Sequence, residues 1–218
     1  MTNDDLKMLQ NLPLDLKIAK SKLRIQEWYN HWGVQVYISF SGGKDSTVLK
    51  HLVESIYPNV ISVFCDTGLE YPEIKDFVKG QRNVTIIRPK MSFNKVIKEY
   101  GYPVISKEVS GHICNARLCI KYNDGRYKRN YDMFTETPNE VKSAFRDLRR
   151  YAYMLDAPFA ISNKCCDVMK KKPFHEYEKQ TGCKGFLGTM ATESLLRKQV
   201  WKKMVATLLT LPIHIRHH

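Results

Sequence analysis

Between a strand-like run and a helical pattern stands the hexapeptide Ser41-Gly42-Gly43-Lys44-Asp45-Ser46, and its residue types suit the holding of phosphate. Glycines permit a tight turn that exposes backbone N–H groups, and the helix that follows adds the positive end of its dipole. Ser41 and Ser46 can donate hydroxyl hydrogen bonds to phosphate oxygens, and Lys44 supplies charge if its side chain turns inward. Asp45 suits the orienting of the loop or of a metal-bound water, which makes Mg2+ a candidate cofactor. The plainer alternative is an ordinary strand-to-helix turn capped by Ser46.

The hexapeptide follows neither the GxxxxGK[ST] nor the GxGxxG spacing, so kinase, GTPase and dehydrogenase readings lose support. It resembles the pyrophosphatase loop (PP-loop) of the adenine nucleotide alpha-hydrolase superfamily. That group includes ATP pyrophosphatases, sulfur-transfer enzymes acting on tRNA, and phosphoadenosine phosphosulfate (PAPS) reductases. The segment Cys65-Asp66-Thr67-Gly68-Leu69-Glu70-Tyr71-Pro72-Glu73 is similar to the Asp-Thr-Gly, aromatic, Pro-Glu segment of PAPS reductases and their sulfurylase relatives. It lies at the carboxyl end of a strand, where open parallel sheets bind ligands, so Asp66, Thr67 and Gly68 are candidates to meet a ribose or adenine edge. A simple turn is the alternative there.

A third segment, Gly188-Thr189-Met190-Ala191-Thr192-Glu193-Ser194-Leu195-Leu196-Arg197, resembles the family's Gly-x-Arg-Ala-x-Glu-Ser-x-x-Arg stretch near the nucleotide. Gly188, Glu193, Ser194 and Arg197 carry over, while Met190 stands at the arginine position. Methionine cannot donate to an anion, so the missing contact falls to Lys107, Arg197 or another basic residue. The resemblance implies an adenine nucleotide ligand: ATP, adenylyl sulfate or PAPS.

Cys165-Cys166, preceded by Asn163-Lys164 and followed by Lys172-Pro173, looks like the paired-cysteine segment of iron–sulfur adenylyl-sulfate reductases, which implies thiolate ligation of a [4Fe-4S] cluster. Those enzymes add a later Cys-x-x-Cys, and this sequence has none after Cys183. A four-cysteine site would draw on Cys183, Cys114 or Cys119; free or partly buried thiols are the alternative. Reduction in this family also resembles attack by a C-terminal thiolate, with a thiol carrier such as thioredoxin releasing sulfite. No cysteine follows Cys183, so nucleotide binding is the expectation and reduction is conditional.

The elements that must position these residues are legible by period. Ile18, Ile25, Trp28, Tyr29 and Trp32 predict an amphipathic helix stopped by Gly33. Val34 to Phe40 predicts a strand, and Val48, Leu49, Leu52, Val53 and Ile56 predict the buried face of a helix that Pro58 prevents from extending. Val60 to Cys65 reads as a buried parallel strand, Pro72 to Lys79 as a helix, Val84 to Ile87 as a third strand and Phe93 to Tyr100 as a third helix. This alternation predicts an α/β fold, a doubly wound parallel sheet with flanking helices and a helical or irregular insertion. The alternation fails from Tyr102 to Asp132, where residues 122–129 look like an exposed basic turn. A helix is expected to restart at Thr137-Pro138-Asn139-Glu140 and to bury Val141, Phe145, Leu148, Ala152 and Leu155. Gly185 to Gly188 reads as a brief last strand, and Thr192 as the cap of a final helix.

Residues 1–33 are expected to form an N-terminal helical segment, 34–200 the nucleotide-binding domain, and 201–218 a tail without an assigned role. The 218 residues, 43% hydrophobic, suffice for one substantial core. No apolar run approaches the roughly 18 residues of a membrane span, and the acidic start lacks a signal-peptide layout, so a cytoplasmic protein without membrane partners is expected. Six cysteines then read as thiols or ligands rather than as a disulfide framework. A net charge of +13 favours polyanionic partners, whether nucleotide, nucleic acid or acidic protein. Arg126, Lys128, Arg129, Arg146, Arg149 and Arg150 are therefore candidates for a nucleic-acid contact in an ATP-dependent sulfur-transfer or nucleic-acid-modifying enzyme, with a solvated charged face as the plainer reading. A non-enzymatic interaction protein on the same fold is a third reading, suggested by Met190.

Overall fold

A computed structural model of the chain describes residues 2–136, 147–189 and 197–199. The restart at Thr137, the motif residues Met190, Thr192, Glu193 and Ser194, and the 201–218 tail lie outside the described residues.

The chain opens with α1 (Asn3–Gln10), closed by a reciprocal cap in which Thr2 Oγ1 accepts from the Asp5 N–H and the Asp5 carboxylate accepts from the Thr2 N–H. α2 (Leu14–Trp32) ends at Gly33. Then β1 (Val36–Phe40), α3 (Lys44–Glu54), β2 (Ile61–Cys65), α4 (Pro72–Lys79), β3 (Val84–Ile87) and α5 (Phe93–Tyr100) alternate as the periodicity predicts. α3 stops at Glu54 rather than at Pro58; just beyond it the Ile56 and Tyr57 N–H groups both donate to the Val53 carbonyl, at 3.0 and 2.7 Å.

The stretch after Tyr102 is more regular than expected. It contains the 16-residue α6 (Lys107–Tyr122), a 3-10 turn (Gly125–Tyr127) and α7 (Lys128–Thr135). Leu148, Ala152 and Leu155 pack inward as anticipated, but with Leu148 as the N-cap of a 3-10 helix (Arg149–Asp156) that carries the other two, rather than on an α-helix. α8 (Lys164–Cys166) runs through a π-helical turn (Asp167–Lys171) into α9 (Lys172–Thr181), and β4 (Lys184–Phe186) follows.

The described strands form one parallel sheet in the order β3-β2-β1-β4, a doubly wound α/β arrangement with flanking helices. β1 pairs β2 from Tyr37↔Ile61 to Phe40↔Phe64, and β4 from Val36↔Lys184 to Ile38↔Phe186. β3 joins through the Ser62 N–H to Asn83 and the Asp66 N–H to Ile87. The chain thus travels outward from β1 to β3 and returns on the other side of β1 as β4. Strand order reverses between β1 and β4, and the crevice beyond their carboxyl ends is where such sheets accept ligands.

The chain packs as two compact units, one drawn from residues 1–64, 71–86 and 178–218, the other from 65–70 and 87–177. In the first, Ile25 of α2, Val36 and Ile38 of β1, Val53 of α3, Val60 and Phe186 form the core, with Trp28, Tyr29, Trp32, Leu49 and Leu52 against it. Val48, expected on the buried face of α3, is exposed. Phe40, Phe64 and Val78 form a second cluster with Ile74 and Val84. In the second unit the core is helical: Val109, Ile113, Ala116, Met133, Phe134, Leu148 and Ile161. The Arg117 guanidinium ties its chain turns together by donating to the carbonyls of Met154, Ala157 and Phe159 at 2.7–2.8 Å.

Candidate functional site

The loop after β1 is shaped from both ends. Gly42 has φ +73°, and a Cβ there would stand 2.7 Å from Ile74 Cγ2, so both backbone conformation and the approach of α4 require glycine. Ser46, at the first turn of α3, donates from Oγ to the Gly43 carbonyl at 2.9 Å and accepts from the Ser41 N–H at 3.2 Å. Its one hydroxyl proton is therefore committed inside the loop. Of the two serines expected to reach phosphate, Ser46 acts here as the brace, and Ser41, exposed and 3.0 Å from Ser46 Oγ, lies at the mouth.

α3 begins at Lys44 with Gly43 as its N-cap and no side-chain cap, so its first-turn N–H groups have no internal side-chain acceptor. An uncapped first turn presents its N–H groups together with the positive end of the helix dipole. Lys44 is exposed at the first helical position, and Asp45 is the acid of that turn. One carboxylate beside bound phosphate suffices for magnesium, which keeps most of its waters.

Gly188 closes the other wall. It follows β4, and a Cβ there would meet the Asp45 carbonyl oxygen at 3.2 Å and the Asp45 carbonyl carbon at 3.4 Å. The outgoing end of β4 therefore lies against the first turn of α3, at the point where strand order reverses. Arg197, in a helical stretch at 197–199, belongs to the same unit.

In the second unit, the Asp66-Thr67-Gly68 turn spends its polar groups on itself. Asp66 accepts from the Gly68 N–H at 3.1 Å and pairs with Arg88 Nε at 3.4 Å. Thr67 is buried; its N–H and hydroxyl both donate to the Glu70 carboxylate, at 3.0 and 2.6 Å. Glu70 and Arg88 were not among the residues singled out from sequence, although Thr67-x-x-Glu70 has the spacing of a capping box. Lys107 opens α6, exposed, one residue after the Ser106 cap.

Burial pushes the Cys65 thiol up to about 11, the Glu70 charge adds to this, and Cys65 Sγ donates to the Met169 carbonyl in the π-helical turn at 3.3 Å. Burial likewise raises Cys114, against the opposing charges of Lys164 and Arg117. Cys165 and Cys166 are half-buried neighbours on α8. Among the described residues no group of three or more His, Cys, Asp or Glu side chains is placed to hold a metal ion. The described residues thus do not supply the donor set of a four-thiolate cluster.

The basic residues raised as a nucleic-acid contact are largely engaged by neighbours. Arg126 grips Asp124, Lys128 reaches Asp132 and Glu136, and Arg149 holds Asp147 down at about 2. Arg150 lies over the Tyr151 ring, and Arg146 is outside the described residues.

Residues 35–117 match the family model described as the phosphoadenosine phosphosulfate reductase domain, of the adenine nucleotide alpha-hydrolase superfamily. Over this segment the chain is similar to that family. The matched segment runs from the entry to β1 through the glycine loop and the Asp66–Gly68 turn into α6, so it contains both loops described above. An uncharacterized protein of Methanocaldococcus jannaschii is 29% identical over 124 residues, 53% of this chain and 30% of its own length. The chain therefore spans about a third of that relative. No described helix is long and apolar enough to cross a membrane.

Proposed function

We propose that the protein binds an adenine nucleotide of the ATP, adenylyl sulfate and PAPS class, with its phosphates on the first-turn N–H groups of α3. The observation that carries this reading is the uncapped start of α3, framed by Gly42 with its positive φ and by Gly188 against the Asp45 carbonyl. Phosphate there gains several N–H donors and the helix dipole, and Lys44 adds charge from the rim. Magnesium would be held through Asp45 and the phosphates and would neutralise charge on them. Ser46 contributes by fixing the loop.

Membership of sulfur metabolism is supported by the family domain and by the Asp66–Gly68 segment. Reduction is a separate step. In it a thiolate attacks the sulfate sulfur, the sulfur–oxygen bond to the adenosine phosphate breaks, and a second thiol displaces sulfite as a disulfide forms. Cys65 is unsuited to start it, because a thiol raised to about 11 is protonated at neutral pH.

The test is an equilibrium binding comparison of ATP, adenylyl sulfate and PAPS on anaerobically purified protein, with the visible spectrum recorded and sulfite assayed after addition of reduced thioredoxin. Saturable binding of one of the three is expected. Absence of binding to all three rejects the reading, and binding without sulfite rejects only the reductase step.

A further inference from the structure

Gly42 and Gly43 stand side by side in the loop between β1 and α3, and two adjacent glycines constrain their own backbone less than any other pair. Their conformation nevertheless has to be held, because the first-turn N–H groups of α3 follow directly from Gly43.

The pair is held from two sides. Ser46 Oγ donates to the Gly43 carbonyl and accepts from the Ser41 N–H, which brackets Gly42 without touching it. Gly42 itself is walled by α4: a Cβ there would stand 2.7 Å from Ile74 Cγ2 and 3.1 Å from Val78 Cγ2. A Cβ on Gly43 would meet only Ser41 Oγ, at 3.4 Å, so the wall is specific to Gly42. It is also anchored. Val78 is buried with Phe40, the last residue of β1, and with Phe64 of β2, and Ile74 packs on this cluster. The Phe77 ring extends it, 6.3 Å from that of Phe40. Ile74 lies in the first turn of α4, two residues after Pro72. As a β-branched residue it is stiff at χ1, so its Cγ2 methyl is held as firmly as the helix that carries it. All of these residues belong to one compact unit.

We propose that Ile74 is a positioning residue for the nucleotide site: its Cγ2 methyl holds Gly42 at φ +73°, so that the ligand meets a loop already ordered. This deepens the nucleotide reading above and rests on it. Fixing one backbone residue at the moment of binding weakens affinity by about tenfold. A loop ordered beforehand by α4 escapes that loss.

Ile74→Val and Ile74→Leu separate the methyl from the bulk. Valine keeps Cγ2 and gives up only the terminal Cδ1, whereas leucine keeps the apolar volume but has no branch at Cβ. The test measures backbone 15N order parameters of Gly42 and Gly43 in the ligand-free protein, the melting temperature, and the dissociation constant for ATP. Ile74→Leu should melt within a few degrees of wild type, lower the Gly42 order parameter from about 0.85 to below about 0.6, and bind ATP about tenfold more weakly. Ile74→Val should match wild type in order parameters and affinity. A leucine variant whose Gly42 stays as ordered as in wild type overturns the wall, whether or not ATP binds. A loosened loop with unchanged ATP affinity overturns the positioning role while leaving nucleotide binding intact. Equal losses in the valine and leucine variants overturn the assignment to the Cγ2 methyl. A wild-type protein that binds no ATP overturns the nucleotide reading, and the order parameters still decide the wall.

Discussion

Gly188, beyond the end of β4, lies so close to Asp45 in the first turn of α3 that a Cβ would stand 3.2 Å from the Asp45 carbonyl oxygen. The contact joins two segments 143 residues apart (188 − 45) across the point where strand order reverses. A larger side chain must push either the strand end or the helix start, and the helix start carries the proposed phosphate donors. Gly188→Val should therefore weaken nucleotide binding about tenfold or more, with the far-ultraviolet circular dichroism unchanged. Equal affinity in titration calorimetry would show that the approach of β4 is irrelevant to the ligand.

Gly42 is more costly to replace, because its φ of +73° and the 2.7 Å approach to Ile74 Cγ2 both oppose a Cβ. Gly42→Ala should destabilise the fold by about 1–3 kcal/mol in urea unfolding. Adding Ile74→Ala should return part of that loss relative to the two single changes summed, since it removes the clash but not the dihedral cost. Strict additivity would mean that the dihedral alone sets the penalty.

Lys50 is buried on α3, its ammonium shared between the Glu54 carboxylate and the Arg82 carbonyl at 3.0 Å. Lys50→Met leaves both acceptors without a donor, though Glu54 is partly open to water, so a loss of about 1–3 kcal/mol is expected. A neutral or stabilising effect by thermal melting would indicate that the charge pair is no better than an apolar side chain at this position.

Cys65 supplies a pH test. Its thiol is raised to about 11 from an ordinary thiol value of 9.0, chiefly by burial. The folded state therefore favours the protonated form, a contribution fully present below pH 9 and lost as pH rises through about 11. Cys65→Ala should flatten the alkaline fall in melting temperature over that window. In the wild type, mass spectrometry after iodoacetamide treatment at pH 8 should find Cys65 unmodified; rapid alkylation of native Cys65 at pH 8 would contradict the burial argument.

Local patterns carried the elements whose stability is local. Pro72–Lys79 and Phe93–Tyr100 have the bounds that their apolar spacing predicts, because a proline at the first position and glycines just past each end mark them. α6 was hidden for a non-local reason: Gly111 stands in its interior, where the Asn163 side chain would lie 2.6 Å from a Cβ, and no sequence window shows that partner. α1 was legible in principle from Thr2 and Asp5, a cap without an apolar stripe to draw attention to it. At the site, residue types singled out the loop between β1 and α3 as the candidate, but not which serine braces it. That follows from Ser46 Oγ meeting the Gly43 carbonyl, a geometry that exists only once β1 and α3 are in place. The pairing of Thr67 with Glu70 and the positive φ of Ile105 are likewise products of packing rather than of spacing.

The most direct measurement is an ATP titration followed by the backbone amide 1H–15N shifts of Gly42, Gly43, Lys44 and Asp45. With phosphate on the first turn of α3, these four amides should move together and saturate at one dissociation constant, while exposed amides of α1 stay still. Saturable ATP binding that leaves all four unmoved, or no binding at millimolar ATP, would contradict the placement of the phosphate at this helix start.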